Sequence, residues 1–270
     1  MASLAMALFA TMPAATAAAA QLRPLPPVDW DAFDDDARMH TTIGASVLTD
    51  QLASLAGTRG RLFELGLYRV AFRSGRVVLD FSGTAVRHFR DEELLEPPME
   101  HTRAPNGRAR VDTGDHLAAT LFLLTSAGAP VDALVRFGTR LPTTDNAIGL
   151  DRDHTDFFAT LAARAIRGPW SLAAEAGLGI NGSRSAGFDQ ADVLVYSAEL
   201  RLQAGRVVPL VTVVGHDGFT SRRIRGNEDL GEVRAGVRVG ERRWVRIEAV
   251  AGYAEAAPDV GLLVTAGWKR

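Results

Sequence analysis

From Thr41 onward the chain repeats one pattern, an alternation of apolar and polar residues with a period of two. Between Trp244 and Tyr253, Val245, Ile247, Ala249, Ala251 and Tyr253 share one face, while Arg246, Glu248 and Gly252 share the other. Leu194, Tyr196, Ala198, Leu200 and Leu202 oppose Ser197, Glu199 and Arg201 in the same way. Val233, Ala235, Val237 and Val239 oppose Glu232, Arg234, Gly236 and Arg238. A repeat of 180° per residue belongs to strands and not to helices. It predicts about twelve strands of roughly 8–14 residues, the length of tilted membrane strands. They fall at residues 42–49, 61–73, 76–89, 115–126, 131–141, 156–166, 170–180, 192–203, 206–214, 229–239, 242–254 and 259–268.

The connections are sorted by length. Tight turns at 74–75, 127–130, 167–169, 204–205 and 240–241 alternate with longer polar stretches at 50–60, 90–114, 142–155, 181–191 and 215–228. Only the last hairpin, 255–258, is short where a long one is due. Transmembrane barrels show this asymmetry, with short periplasmic turns and longer extracellular loops, whereas a soluble sandwich has no reason for it. The polar faces carry full charges inside strands, among them Asp132, Arg238 and Arg246. About a dozen strands also enclose a lumen too wide for one apolar core. The expected fold is therefore an all-β transmembrane antiparallel barrel, polar inside and lipid-facing outside. Trp170 and Trp268 have the parity of the apolar face at the short-turn end, as a girdle requires, whereas Trp244 has the parity of the polar face. A soluble barrel of the lipocalin type, with inside and outside exchanged, is the alternative.

Three segments are expected. Residues 1–20, an apolar run ending in Ala-rich sequence, read as a secretory signal peptide cut near Ala20, although no Lys or Arg precedes the apolar run. A short buried helix is the alternative. Residues 21–40 contain Pro24, Pro26 and Pro27 and an acidic run over 31–36, which oppose regular structure. They read as a flexible N-terminal periplasmic extension, with a plug or a tether as the alternative. Residues 41–270 form the barrel. Beyond the first segment no apolar run approaches the roughly 20 residues of a spanning helix.

The balance of 30 Lys+Arg against 32 Asp+Glu gives no basic surface for nucleic acid. With no cysteine, thiol catalysis and Cys-ligated zinc are excluded. The six His have no ligand spacing, so no metal or other cofactor is expected. The run from Asp151 to Asp156 could hold a cation but lacks the turn glycine and distal glutamate of an EF-hand, so it reads better as a solvated loop. His216 with Ser221, or His88 with Ser82, are the only candidates for a lipid hydrolase, and no motif frames either pair.

One stretch resembles a known family. Phe137-Gly138-Thr139-Arg140-Leu141-Pro142 leads into Gly149-Leu150-Asp151 and then Asp156-Phe157. This is similar to the Gly-x-Lys-Leu-Pro strand end, Gly-Leu/Asp loop and Asp-Phe strand of outer-membrane putative transporters grouped with the phenol-degradation meta-pathway family, with Arg140 in place of the usual Lys. The resemblance implies an outer-membrane barrel and passage of small molecules, without specifying the solute. Outer-membrane lipid and the barrel assembly machinery are the implied partners. The C-terminal Trp268-Lys269-Arg270 departs from the terminal aromatic residue common in such barrels.

The functional candidates are lumen charges: Arg136, Arg164, Glu175, Glu199, Arg234 and Glu248. They either line a polar, mixed-charge path for a solute or pair across strands and seal the barrel. The expected function is a porin-like outer-membrane channel or transporter of a Gram-negative bacterium, not an enzyme. A closed structural barrel and, more remotely, a lipid hydrolase are the alternatives.

Overall fold

A computed structural model describes residues 22–33, 38–114, 116–125, 129–151, 154–183, 190–219 and 224–270. The expected signal peptide lies outside the described residues. A single 3-10 turn, Trp30–Ala32, precedes β1 (Met39–Ala53), β2 (Thr58–Ser74), β3 (Val77–Leu94), β4 (Arg110–Asp112), β5 (His116–Leu123) and β6 (Val131–Leu141). Then follow β7 (Asp156–Arg167), β8 (Trp170–Gly182), β9 (Gln190–Leu202), β10 (Val207–Gly218), β11 (Leu230–Gly240), β12 (Arg243–Gly252) and β13 (Val260–Lys269). Every pairing is antiparallel, and all join chain neighbours except β3 with β5 and β1 with β13. The β1–β13 seam, with Thr41 opposite Trp268 and Val47 opposite Leu262, closes the sheet. Leaving out the short β4, the ring has twelve strands.

Closure leaves the twelve-strand ring without an edge, which a lipid environment demands of a β structure; only the short β4 keeps one. The alternation then has a physical meaning. In β7, Phe157 and Leu161 point outward at 57% and 64% exposure, while Asp156, Phe158, Thr160 and Arg164 are buried inside. The same division runs through β8 to β13, so the outer wall is an apolar belt for lipid. Trp170 and Trp268 stand on that belt near the short-turn end. Trp244 is buried on the inner side, its ring 6.0 Å from His40. That position explains its polar-face parity.

The first three strands are longer than expected. β1 to β3 continue past their neighbours into a sheet that stands above the long-loop end. The pairing of β3 with β5 stops at Gly83 opposite His116, and beyond it only β4 covers β3 on that side. The 50–60 connection, expected as a loop, is a tight turn at 54–57 on two extended strands. Both β2 and β3 change faces on entering this sheet. Gly66, at φ +65°, supplies the bulge in β2, a conformation that side-chain-bearing residues rarely adopt. Below it Arg69 and Ala71 face inward; above it Leu62 and Glu64 do.

Candidate functional site

The lumen is filled by the chain's own N-terminal segment. Residues 22–33 run through the barrel from Phe33, at the short-turn mouth, to Leu22, beneath the long loops. This corrects the reading of residues 21–40 as a periplasmic extension. Trp30 is 3% exposed and Leu22 fully buried, although the segment has almost no regular structure of its own. Prolines deprive the segment of internal hydrogen bonds, so its backbone groups are available to the wall. The wall supplies the partners. Arg136 and Arg69 donate to the carbonyls of Pro26 (2.9 Å) and Pro27 (2.8 Å), and the Val28 amide donates to Glu175 (3.1 Å). Arg73 donates to the Phe33 carbonyl at 2.8 Å.

Three charged side chains of the segment are met by opposite charges. Arg23 pairs with Glu64 of β2 at 2.6 Å and with Glu232 of β11 at 2.9 Å. Asp31 pairs with Arg201 of β9 at 3.1 Å and with Arg238 of β11 at 2.5 Å. Asp29 pairs with His40. Burial alone would raise the Asp31 carboxyl, but the two guanidiniums outweigh it and hold that group below the usual carboxylate range. Arg164 stacks its guanidinium 5.0 Å over the Trp30 ring.

The apolar residues of the segment are met as well. Leu25, Val28, Trp30 and Phe33 pack on an inward-facing stripe that includes Leu117, Leu121, Leu134, Val193 and Val195. The lumen is thus charged on one side and apolar on another, where a uniformly polar, mixed-charge lining was expected. The segment turns that stripe into a core, which a water-filled pore would not contain. Leu22 joins a second cluster with Leu48, Leu62, Phe89 and Val250. Leu150, from the 142–155 loop, closes over it.

All six lumen charges expected from sequence lie buried on the inner face. Arg136 pairs with Glu175 at 3.2 Å and stacks on Phe158, Arg164 with Asp132 at 2.6 Å, and Arg234 with Glu232 at 2.8 Å. Arg246 joins Glu199 (3.3 Å) to Glu248 (2.6 Å). They therefore seal the wall and, through Arg136, Arg164 and Glu175, also grip the segment. Sequence reasoning missed Arg23, Asp31, Arg69, Arg201 and Trp30. Their signal was present: Leu22, Leu25, Val28, Trp30 and Phe33 are too apolar and too regularly spaced for a solvated tail.

An ion ladder links the segment to the outside. Arg23 holds Glu64; Glu64 also accepts from Arg87 at 3.0 Å; Arg87 reaches Asp151 of the 142–155 loop at 2.5 Å. Asp151, expected in a solvated loop, is thus 1% exposed and committed to an arginine. Asp156 lies opposite Arg140, 3.5 Å away, and accepts from the Gly182 amide at 2.9 Å. The pair Ser82 and His88 is split, with Ser82 buried in the lumen and His88 exposed on the outside. Ser221 lies outside the described residues, and His216 is buried with Nε2 at 3.2 Å from the Glu228 carbonyl. A cavity of about 190 Å³ remains beside the segment, bordered by Arg23, Pro26, Leu67, Arg69, Thr84 and Arg140.

A closed strand ring with an apolar outside defines an integral β-barrel of the bacterial outer membrane. Among solved structures, the chain is similar to the COG4313 outer membrane channel from Pseudomonas putida F1, with a TM-score of 0.58 and 13% identity. That match covers 91% of this chain and 100% of the other. The outer membrane channel DcaP of Acinetobacter baumannii matches at a TM-score of 0.43 and 7% identity, over 87% of this chain and 97% of that one. LpxR from Salmonella typhimurium matches at 0.43 and 8%, over 84% and 99%. At these identities the likeness is one of fold. No protein-family model and no curated protein matches the chain.

Proposed function

We propose that the protein is an outer-membrane channel for small molecules, held closed by its own residues 22–33. The observation that carries this reading is the way the segment is held. It is a strand-free stretch gripped by side chains from opposite walls, not a rung of the sheet. Such a stretch can leave without breaking any barrel pairing. The cavity beside it supports a path that widens there. The resemblance of residues 137–158 to the phenol-degradation meta-pathway transporters supports a small solute.

The test is planar-bilayer recording of the refolded mature chain against a variant lacking residues 22–33. The full chain is expected to stay mostly closed, and the shortened one to give steady, discrete conductance steps. Silence from a shortened barrel that still migrates as a folded, heat-modifiable species would overturn the channel reading and leave a structural barrel. Should the deletion fail to fold, the double variant Arg23→Ala/Asp31→Ala keeps the chain length and is expected to raise the open probability.

A further inference from the structure

The protruding sheet presents a face that the channel reading does not use. On β2 the outward residues run Phe72, Val70, Tyr68, then Leu65, Phe63 and Arg61. On β3 they run Leu79, Phe81, then Val86, His88 and Arg90. The two strands change character at the same rungs. Leu65 lies opposite Val86, Phe63 opposite His88, and Arg61 opposite Arg90. On the other side of β3, Val111 of β4 lies opposite His88. Phe63, Leu65, Val86 and Val111 are 39–59% exposed, an apolar apron with basic residues directly above it.

This change marks a level. The apolar belt of a transmembrane barrel is about 25 Å tall. On β2 and β3 the belt climbs from Phe72 and Leu79, near the short turns, and ends at Phe63 and Val86. Arg61 and Arg90 therefore stand at the head-group level of the leaflet on the long-loop side, the external one, with His88 on the last apolar rung beside Phe63 and Val111. Two arginines directly opposite across a strand pair repel each other. Glu92 pairs with Arg61 at 2.7 Å, and Asp91 turns away to Arg110 at 3.0 Å. Among the described residues no carboxylate pairs with Arg90. An anion between the two guanidiniums would resolve the repulsion, and a phosphate matches the guanidinium fork.

We propose that this face binds a phosphorylated glycolipid of the outer leaflet. Its phosphate would be held between Arg61 and Arg90 with His88 beside them, and its acyl chains would lie on Phe63, Leu65, Val86 and Val111. The proposal is independent of whether the lumen opens.

The test uses the full folded chain in non-ionic detergent, with bisphosphorylated lipid A and the same lipid enzymatically dephosphorylated as probes. Bound lipid is counted by native mass spectrometry, and folding is verified by heat-modifiable migration. The wild type is expected to retain the bisphosphorylated lipid and to bind it at least ~10-fold more weakly once it is dephosphorylated. Arg61→Gln/Arg90→Gln is expected to lose the same factor, whereas Arg242→Gln, at the opposite end of the barrel, keeps full binding. Equal retention by the double variant would overturn the proposal. So would equal binding of the dephosphorylated lipid, or an equal loss in the Arg242 variant, which would show unspecific charge attraction.

Discussion

At the scale of single residues, Asp31 is the acid of the segment on which two arginines from different strands converge. Removing one partner of a buried pair leaves the other charge uncompensated, at a cost of roughly 3–5 kcal/mol. In Asp31→Ala that cost falls on the docked state of the segment alone, since Arg201 and Arg238 can be hydrated once the segment leaves. The variant is therefore expected to open the lumen, read as a higher open probability. The same pair sets the response to acid. The Asp31 carboxyl is held below its ordinary range, so its contribution is complete above that range and fades only as the pH falls through the lowered value. Conductance of the intact protein should thus not change as the pH falls from about 6 to 5, a range in which His40, paired with the Asp29 carboxylate, also keeps its charge. Opening on that descent would show that Asp31 does not hold the segment.

At the scale of elements, the wall strands were legible because the alternation that identifies a strand also says which face meets lipid. Arg136, Arg164 and Glu175 could be placed inward from parity alone. Trp244, which fits an outer girdle poorly, has the parity of an inward residue and is one. Segment 22–33 was legible only through its spaced apolar residues, because its order comes from partners far along the chain. Asp31 meets Arg201 and Arg238, about 170 and 207 positions away. Proline and acidic composition report only local preference. The protruding sheet was hidden for another reason: in β2 and β3 the alternation slips by one at the bulge, which breaks the period.

Gly138 offers a test of how tightly an inner wall is packed. A Cβ there would lie 2.1 Å from the Phe158 ring, which also carries the Arg136 guanidinium at 5.0 Å. Gly138→Val should displace that ring and the guanidinium on it, at a cost of roughly 1–3 kcal/mol. The expected sign is a lower temperature for loss of the compact, heat-modifiable form. An unchanged transition would mean that the Phe158 ring has room to turn aside.

At the scale of the molecule, the barrel and its filling balance each other in charge. Residues 22–33 carry Arg23 against Asp29 and Asp31, so their departure removes one positive and two negative charges. It leaves Arg201, Arg238 and Arg69 facing an open lumen whose low-dielectric wall strengthens their field. The variant lacking 22–33 should prefer anions, seen as a reversal potential shifted toward that of chloride in a potassium chloride gradient. Preference for potassium would place the selectivity elsewhere, in the long loops.

The segment is also the direct upstream continuation of β1, with only residues 34–38 between Phe33 and the first strand residue, Met39. A short tether of this kind presents its cargo at an effective concentration in the millimolar range. On the channel reading, the docked state is one side of an intramolecular equilibrium, and dilution cannot shift it. A solute entering the lumen competes with a neighbour that never diffuses away. A weak solute would open the barrel only where it is abundant, and only while it remains so.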